Sequence, residues 1–238
     1  MFVSCRNITF SYPESETPVI LGLDMDIQGP GFFSLFGLSG TGKTTLARLL
    51  CELATPSDGE IRKAGIRKAL YCHNQERLPG WLSIGEHMER VTSKDRQGLL
   101  RELSEEFGLT ALLSHRFRTL SLGQKNRVNL LRYLVQDFDL LITDEALANV
   151  DEPLRHRILS LVKGRFSDRM IVYISHNVLE VAAFSRTVYV LSQAHLGSAV
   201  ISGIVNGLDL STPPFKDEPV LQKKAFQIIQ AASLWVPT

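Results

Sequence analysis

Residues 37 to 44 read Gly-Leu-Ser-Gly-Thr-Gly-Lys-Thr, and a chain carrying that octet has little freedom in how it folds around it. Glycine lacks a Cβ, so the backbone can turn tightly enough for successive N–H groups to converge on one anion. Such a turn works when a strand delivers the chain to it and a helix leaves it, because the helix N-terminus adds unpaired N–H groups and the positive end of its dipole. Both flanks are present. Gly31-Phe-Phe-Ser-Leu-Phe36 is an apolar run of strand length, and Leu46, Leu49 and Leu50 recur at helical spacing after Lys43. Every fixed position of the G-x-x-x-x-G-K-[ST] phosphate loop is filled, so Lys43 is expected at the β- and γ-phosphates of a nucleoside triphosphate, with the Thr44 hydroxyl on Mg2+.

The remaining composition removes alternatives. The length of 238 residues suits one nucleotide-binding core with a small addition. With 26 basic and 25 acidic residues, nothing in the bulk charge calls for nucleic acid or an anionic membrane. Cys5, Cys51 and Cys72 are far apart and lack C-x-x-C spacing, which fits neither a disulfide framework nor a zinc site and points to a reducing compartment. The opening Met-Phe-Val-Ser-Cys-Arg-Asn has no basic region followed by an apolar one, so export is not expected. Residues 187 to 208 contain no Asp, Glu, Lys or Arg and are long enough to span a bilayer. They also hold Ser192, Gln193, His195 and Asn206 and divide into two apolar runs, which predicts a strand hairpin instead.

Along the chain, strands are expected at about 2–10 and 18–27, then at 60–63 and 67–72 after the Pro56-Ser-Asp-Gly turn. From Gly85 to about Leu113 the sequence is helical and charge-rich. Apolar strands return at Leu140-Leu-Ile-Thr143 and Met170–Ile174, each with a helix, the alternation of a largely parallel α/β sheet. Beyond a polar, proline-containing stretch, Leu221, Ala225, Ile228, Ile229, Ala232 and Trp235 share one helical face, either docked on the core or open to a partner.

Two further segments carry chemistry. An apolar strand ending in Asp144-Glu145 brings carboxylates to the edge of the sheet where open α/β folds bind nucleotides. There Asp144 can hold Mg2+ through water, and Glu145 can polarise an attacking water, a contribution of roughly 10²–10⁴-fold for a general base. Leu120-Ser-Leu-Gly-Gln124 opens a helix, so the Ser121 hydroxyl and neighbouring N–H groups can face an anion.

Gln75, the Leu-Ser-x-Gly-Gln segment, Asp144-Glu145, Asn149-Val-Asp151 and His176, in that order, resemble the ATP-binding cassette (ABC) family of ATPases over residues 1 to about 205. The resemblance implies an α/β P-loop NTPase core with a parallel sheet, N-terminal antiparallel strands and a small helical subdomain inserted at about 84–136. Residues 206–238 would then be a C-terminal linker and helix. It also implies that Tyr12, in Phe10-Ser-Tyr-Pro13, stacks on the adenine of ATP. Gly37, Leu38, Ser39, Gly40, Thr41, Gly42, Lys43, Thr44 and Thr45 would bind the nucleotide, Gln75 would join Thr44 and Asp144 around Mg2+, and His176 would sit at the γ-phosphate. Ser121, Gly123 and Gln124 would serve ATP held by a second subunit, so that two complete sites need two chains placed head to tail. Leu122, Ala146, Asn177 and Ser185 depart from the family pattern, and none of these changes removes a catalytic group.

The function implied is that of the ATPase subunit of a bacterial-type transporter at the cytoplasmic face of the inner membrane. The wording from Gln75 to Ser83 is most similar to the nitrate, sulfonate and taurine importer group, whose substrates are small anionic or organic solutes. A transmembrane permease and a solute-binding protein are the expected partners, with the permease meeting residues 77–90. Trp81 there is either an exposed anchor or buried under its own helices. The alternative is a soluble ABC ATPase acting on ribosomes or nucleic acid; it is disfavoured by the balanced charge and by the absence of sustained heptads between Gln75 and Ser121. A simple P-loop kinase has no use for the Leu120–Gln124 segment.

Overall fold

A computed structural model of the chain describes residues 1–13, 15, 17–74, 76, 78–193, 198–211 and 218–233. The expected strands pair into one sheet: β1 (Phe2–Phe10), β2 (Ile20–Gln28), β3 (Gly31–Phe36), β4 (Asp58–Ala64), β5 (Ala69–His73), β6 (Leu140–Asp144), β7 (Met170–Ile174), β8 (Thr187–Gln193) and β9 (Ala199–Asn206). Their spatial order is β4-β1-β2-β9-β8-β3-β7-β6-β5. The stretch from β8 through β3, β7 and β6 to β5 is parallel, whereas β4, β1 and β2 are antiparallel. Strands β6 and β7 are buried at every position, which is why they read as continuous apolar runs and not as alternating ones.

The uncharged stretch forms the antiparallel pair β8–β9. Among the described residues no helix is long and apolar enough to cross a membrane. The two short strands after the Pro56 turn separate to opposite edges, β4 pairing with β1 and β5 with β6. Only residues 65–68 join them, and so short a link requires the sheet to curl until its edges approach each other.

Helices cover both faces. Side chains of β6 and β7 alternate between two cores: Leu140, Ile142, Met170, Val172 and Ile174 belong to the core that includes α1 (Lys43–Leu50), while Leu141, Ile171 and Tyr173 belong to the core that includes α4 (Leu122–Leu134), α5 (Glu152–Arg165) and α6 (Val178–Phe184). The charge-rich stretch expected to be helical from 85 to 113 is broken into α2 (Ile84–Val91) and α3 (Gln97–Glu106), with short 3₁₀ turns at Lys94–Arg96 and Thr110–Leu112. The break falls where Thr92 and Ser93 are extended. Helix α2 starts sharply because Ser83 and Glu86 cap each other: Ser83 Oγ accepts from the Glu86 N–H while Glu86 Oε2 accepts from the Ser83 N–H.

The last helix, α7 (Glu218–Ser233), docks on α6, β8 and β9 through Leu221, Ala225, Ile228 and Ala232. Ile229, expected on the same face, is exposed, since adjacent helical residues point about 100° apart. Trp235 lies outside the described residues.

Candidate functional site

Strands β3, β7 and β6 are adjacent and in register, with Leu35 opposite Ile174 and Ile174 opposite Asp144. The loops that follow them therefore start at one level. At this carboxyl edge lies a cleft of about 340 Å³ lined by Ser39, Gly40, Lys43, Thr44, Tyr71, His73, Asn74, Asp144, Glu145 and His176.

The phosphate loop enters α1 through Gly42, whose φ of 79° is left-handed; a Cβ there would be strained and would stand 2.9 Å from the Ala199 Cβ. Lys43 Nζ donates to the carbonyls of Gly37 and Leu38, each at 2.8 Å, and Thr41 Oγ1 donates to the same Leu38 oxygen at 2.8 Å. The ammonium thus folds over its own loop and is only 7% exposed. Burial pulls its pKa down, against the charges of Asp144 and Glu145. Gly37, Leu38, Thr41 and Gly42 shape the loop without lining the cleft, and Thr45 accepts or donates a 3.1 Å hydrogen bond with the Tyr12 hydroxyl. Tyr12 stands outside the cleft with its ring edge-on to Phe10.

Thr44 Oγ1 donates to Asp144 Oδ2 at 2.7 Å, although the two residues are a hundred positions apart. These are hard oxygen groups facing an open cleft, and among the described residues no group of three or more His, Cys, Asp or Glu forms a dedicated metal cage. The donor set fits Mg2+, which keeps most of its waters and takes one or two protein oxygens together with phosphates.

Glu145 turns away from Asp144 by adopting φ 52°, a left-handed conformation that costs a non-glycine residue about 1–2 kcal/mol. Its N–H donates to the Ile174 carbonyl at 3.1 Å. Glu145 Oε1 is buried without a hydrogen-bond partner and lies 3.5 Å from His176 Nε2. Burial raises the pKa of Glu145, His176 opposes that rise, and Asp144 adds to it. His176 itself reaches into the cleft from the loop after β7, its side chain 58% exposed. Asn177 caps α6, its Oδ1 accepting from the N–H groups of Leu179 and Glu180.

Behind these residues Arg155 Nε meets Glu180 Oε1 at 2.5 Å while its Nη1 donates to the Val150 carbonyl at 2.6 Å. Tyr173 also donates to Glu180, at 3.0 Å. The segment after Glu145 is thereby tied to the segment after His176.

The structure does not bring Ser121, Gly123 or Gln124 into this chain's own cleft. Ser121 caps α4, its Oγ accepting from the Gln124 N–H at 3.3 Å while Gln124 Oε1 accepts from the Ser121 N–H at 2.9 Å. Gly123 must be glycine because a Cβ would drive into the Asn149 carbonyl oxygen. Leu122 is 64% exposed, so the residue that departs from the family pattern has room. Gln75 and Arg77 lie outside the described residues. Sequence reasoning missed Tyr71, His73 and Asn74, which close the cleft from β5; the pairing of His73 with Asp144 is the register that places them there.

The family model described as ABC transporter matches residues 7–148. The chain is 33% identical over 200 residues to the nickel import ATP-binding protein NikE of Pseudomonas putida, covering 73% of each chain. It is 30% identical over 217 residues to the aliphatic sulfonates import ATP-binding protein SsuB 1 of Pseudomonas fluorescens, covering 90% of this chain and 82% of that one. Among solved structures it superposes on an ATP binding subunit of an ABC transporter with a TM-score of 0.74 at 19% identity, over 96% of this chain and 94% of the other. It also superposes on a bacterial Atm1-family ABC exporter with ATP bound, with a TM-score of 0.77 at 20% identity; the match covers 98% of this chain but 42% of the exporter. At those identities the structural matches establish a shared fold.

Proposed function

This chain belongs to the ABC transporter family, and we propose that it is the ATP-hydrolysing subunit of a small-solute importer, acting as a head-to-tail dimer beneath a separate permease. The observation that carries this reading is the convergence of Lys43, Thr44, Asp144, Glu145 and His176 on one cleft from three separate strand ends.

In the reaction we assign, Lys43 exchanges its loop carbonyls for the β- and γ-phosphate oxygens, and the N–H groups at the start of α1 hold the same anion. Thr44 and Asp144 would hold Mg2+, which would supply positive charge to neutralise the transferring phosphoryl group. Glu145 accepts a proton as water attacks the γ-phosphorus and the bond to the β-phosphate oxygen breaks, releasing ADP. His176 contacts the γ-phosphate, Gln75 the metal or attacking water, and Tyr12 the purine. Ser121, Gly123 and Gln124 complete the site of the opposite subunit, which accounts for their position outside this chain's own cleft.

The permease is assigned to the surface after Gln75, where Trp81 is 76% exposed beside the start of α2. The relatives named above are import proteins for nickel and for sulfonates, and a small solute delivered by a binding protein is the matching assignment here. On this reading the subunit works at the cytoplasmic face of the inner membrane, with residues 1–205 as the ATPase domain, about 84–136 as its inserted helical subdomain and 206–238 as linker and helix.

Mixing tests the arrangement. Lys43→Ala and Ser121→Ala subunits should each be inactive alone, whereas their mixed dimer holds one intact composite site and should regain hydrolysis. Mixed dimers that form and remain inactive refute it.

A further inference from the structure

We infer that Tyr71 is a positioning residue for the Mg2+-ATP site, its hydroxyl holding the Asp144 carboxylate in the orientation that serves the metal. The inference rests on the ATPase reading above and concerns a residue outside the set that the motifs supply.

Tyr71 lies on β5, opposite Ile142 of β6, and its half-buried ring stacks on His73 at 5.7 Å. Its hydroxyl donates to Asp144 Oδ2 at 2.8 Å. The same oxygen accepts from Thr44 Oγ1 at 2.7 Å. Two donors from different elements, one on α1 and one on β5, therefore converge on one carboxylate oxygen of a buried aspartate. Hydrogen bonds to an ionised acceptor are short and about twice as strong as neutral ones. A single donor leaves a carboxylate free to rotate about its last torsion; two donors from different directions fix that torsion.

The consequence for metal binding follows from valence. The one hydrogen of Thr44 is committed to Asp144 Oδ2, so the lone pairs of its oxygen remain for Mg2+. With Oδ2 occupied by both hydroxyls, Oδ1 is the oxygen of this carboxylate that would be left to serve the metal site. Tyr71 thus supplies no ligand itself. It lowers the reorganisation that Asp144 must undergo when nucleotide and metal arrive together.

The test measures the metal's help to nucleotide binding, not turnover. The affinity of the full chain for the β,γ-imido analogue of ATP is taken by titration calorimetry with Mg2+ and with EDTA, and the ratio of the two dissociation constants is compared between variants. Tyr71→Phe should lower that ratio about tenfold while the EDTA affinity stays unchanged, and the unfolding temperature should fall by only a few degrees, since Thr44 still donates to the same carboxylate oxygen. Tyr71→Leu, which removes ring and hydroxyl together, should lower the ratio equally. A Tyr71→Phe ratio equal to wild type, an equal loss of affinity with and without metal, or a drop confined to Tyr71→Leu overturns the inference. A wild-type chain that fails to bind the analogue at all overturns the ATPase reading itself.

Discussion

Glu145→Gln isolates the proposed base from everything else the residue does. Glutamine has the shape of glutamate, meets the same left-handed backbone at φ 52°, and keeps the N–H bond to Ile174. What it loses is the ability to take a proton. Removing a general base costs roughly 10²–10⁴ in rate, equivalent to about 3–5.5 kcal/mol of transition-state stabilisation. ATP binding should survive, because Lys43 and the loop hold the phosphates. Stability should move the other way. Burial raises the folded-state pKa of Glu145 above its unfolded value, so the carboxyl favours folding most below the ordinary glutamate range, and that advantage is lost as pH rises through the raised value. Glu145→Gln should therefore melt higher than wild type at pH 8, with the gap narrowing towards pH 5. Phosphate release, ATP titration and thermal unfolding at the two pH values check the three parts. Turnover within tenfold of wild type, or loss of ATP binding, refutes the role; a lower melting temperature at pH 8 refutes the burial argument.

Trp81→Ala should leave the isolated subunit's stability within about 0.5 kcal/mol, as exposed positions usually do, while abolishing stimulation of hydrolysis by a co-purified permease; unchanged stimulation rules out this docking surface. Arg155→Ala strands the Glu180 carboxylate, which is only 1% exposed, and should cost about 3–5 kcal/mol, a fall in melting temperature on the order of 10 °C by calorimetry. A fall of under 3 °C would mean that Tyr173 and His156 satisfy Glu180 unaided.

How far the site was legible depended on the distance over which each constraint acts. The phosphate loop and the Asp144-Glu145 pair were readable because fixed spacing and strand period are local, and the structure places Lys43, Thr44, Asp144, Glu145 and His176 around one cleft. Tyr71 was not readable, since an aromatic on a short strand carries no record of which strand will lie beside it; its role depends on the register that sets Tyr71 beside Ile142. The same limit hid the parting of β4 and β5 to opposite edges. Ser121 shows a different kind of shortfall. Its S-x-x-Q spacing to Gln124 was visible, yet the sequence suggested an anion site while the structure shows a reciprocal helix cap. The two uses are compatible on elementary grounds. As a cap, Ser121 Oγ only accepts, from the Gln124 N–H, so its single hydrogen remains to donate to a phosphate oxygen. Gln124 Oε1 is spent on the Ser121 N–H, which leaves its amide N–H₂ as the part of that side chain able to face an anion. The cap therefore orders the donors that a second subunit's ATP would need before any nucleotide arrives.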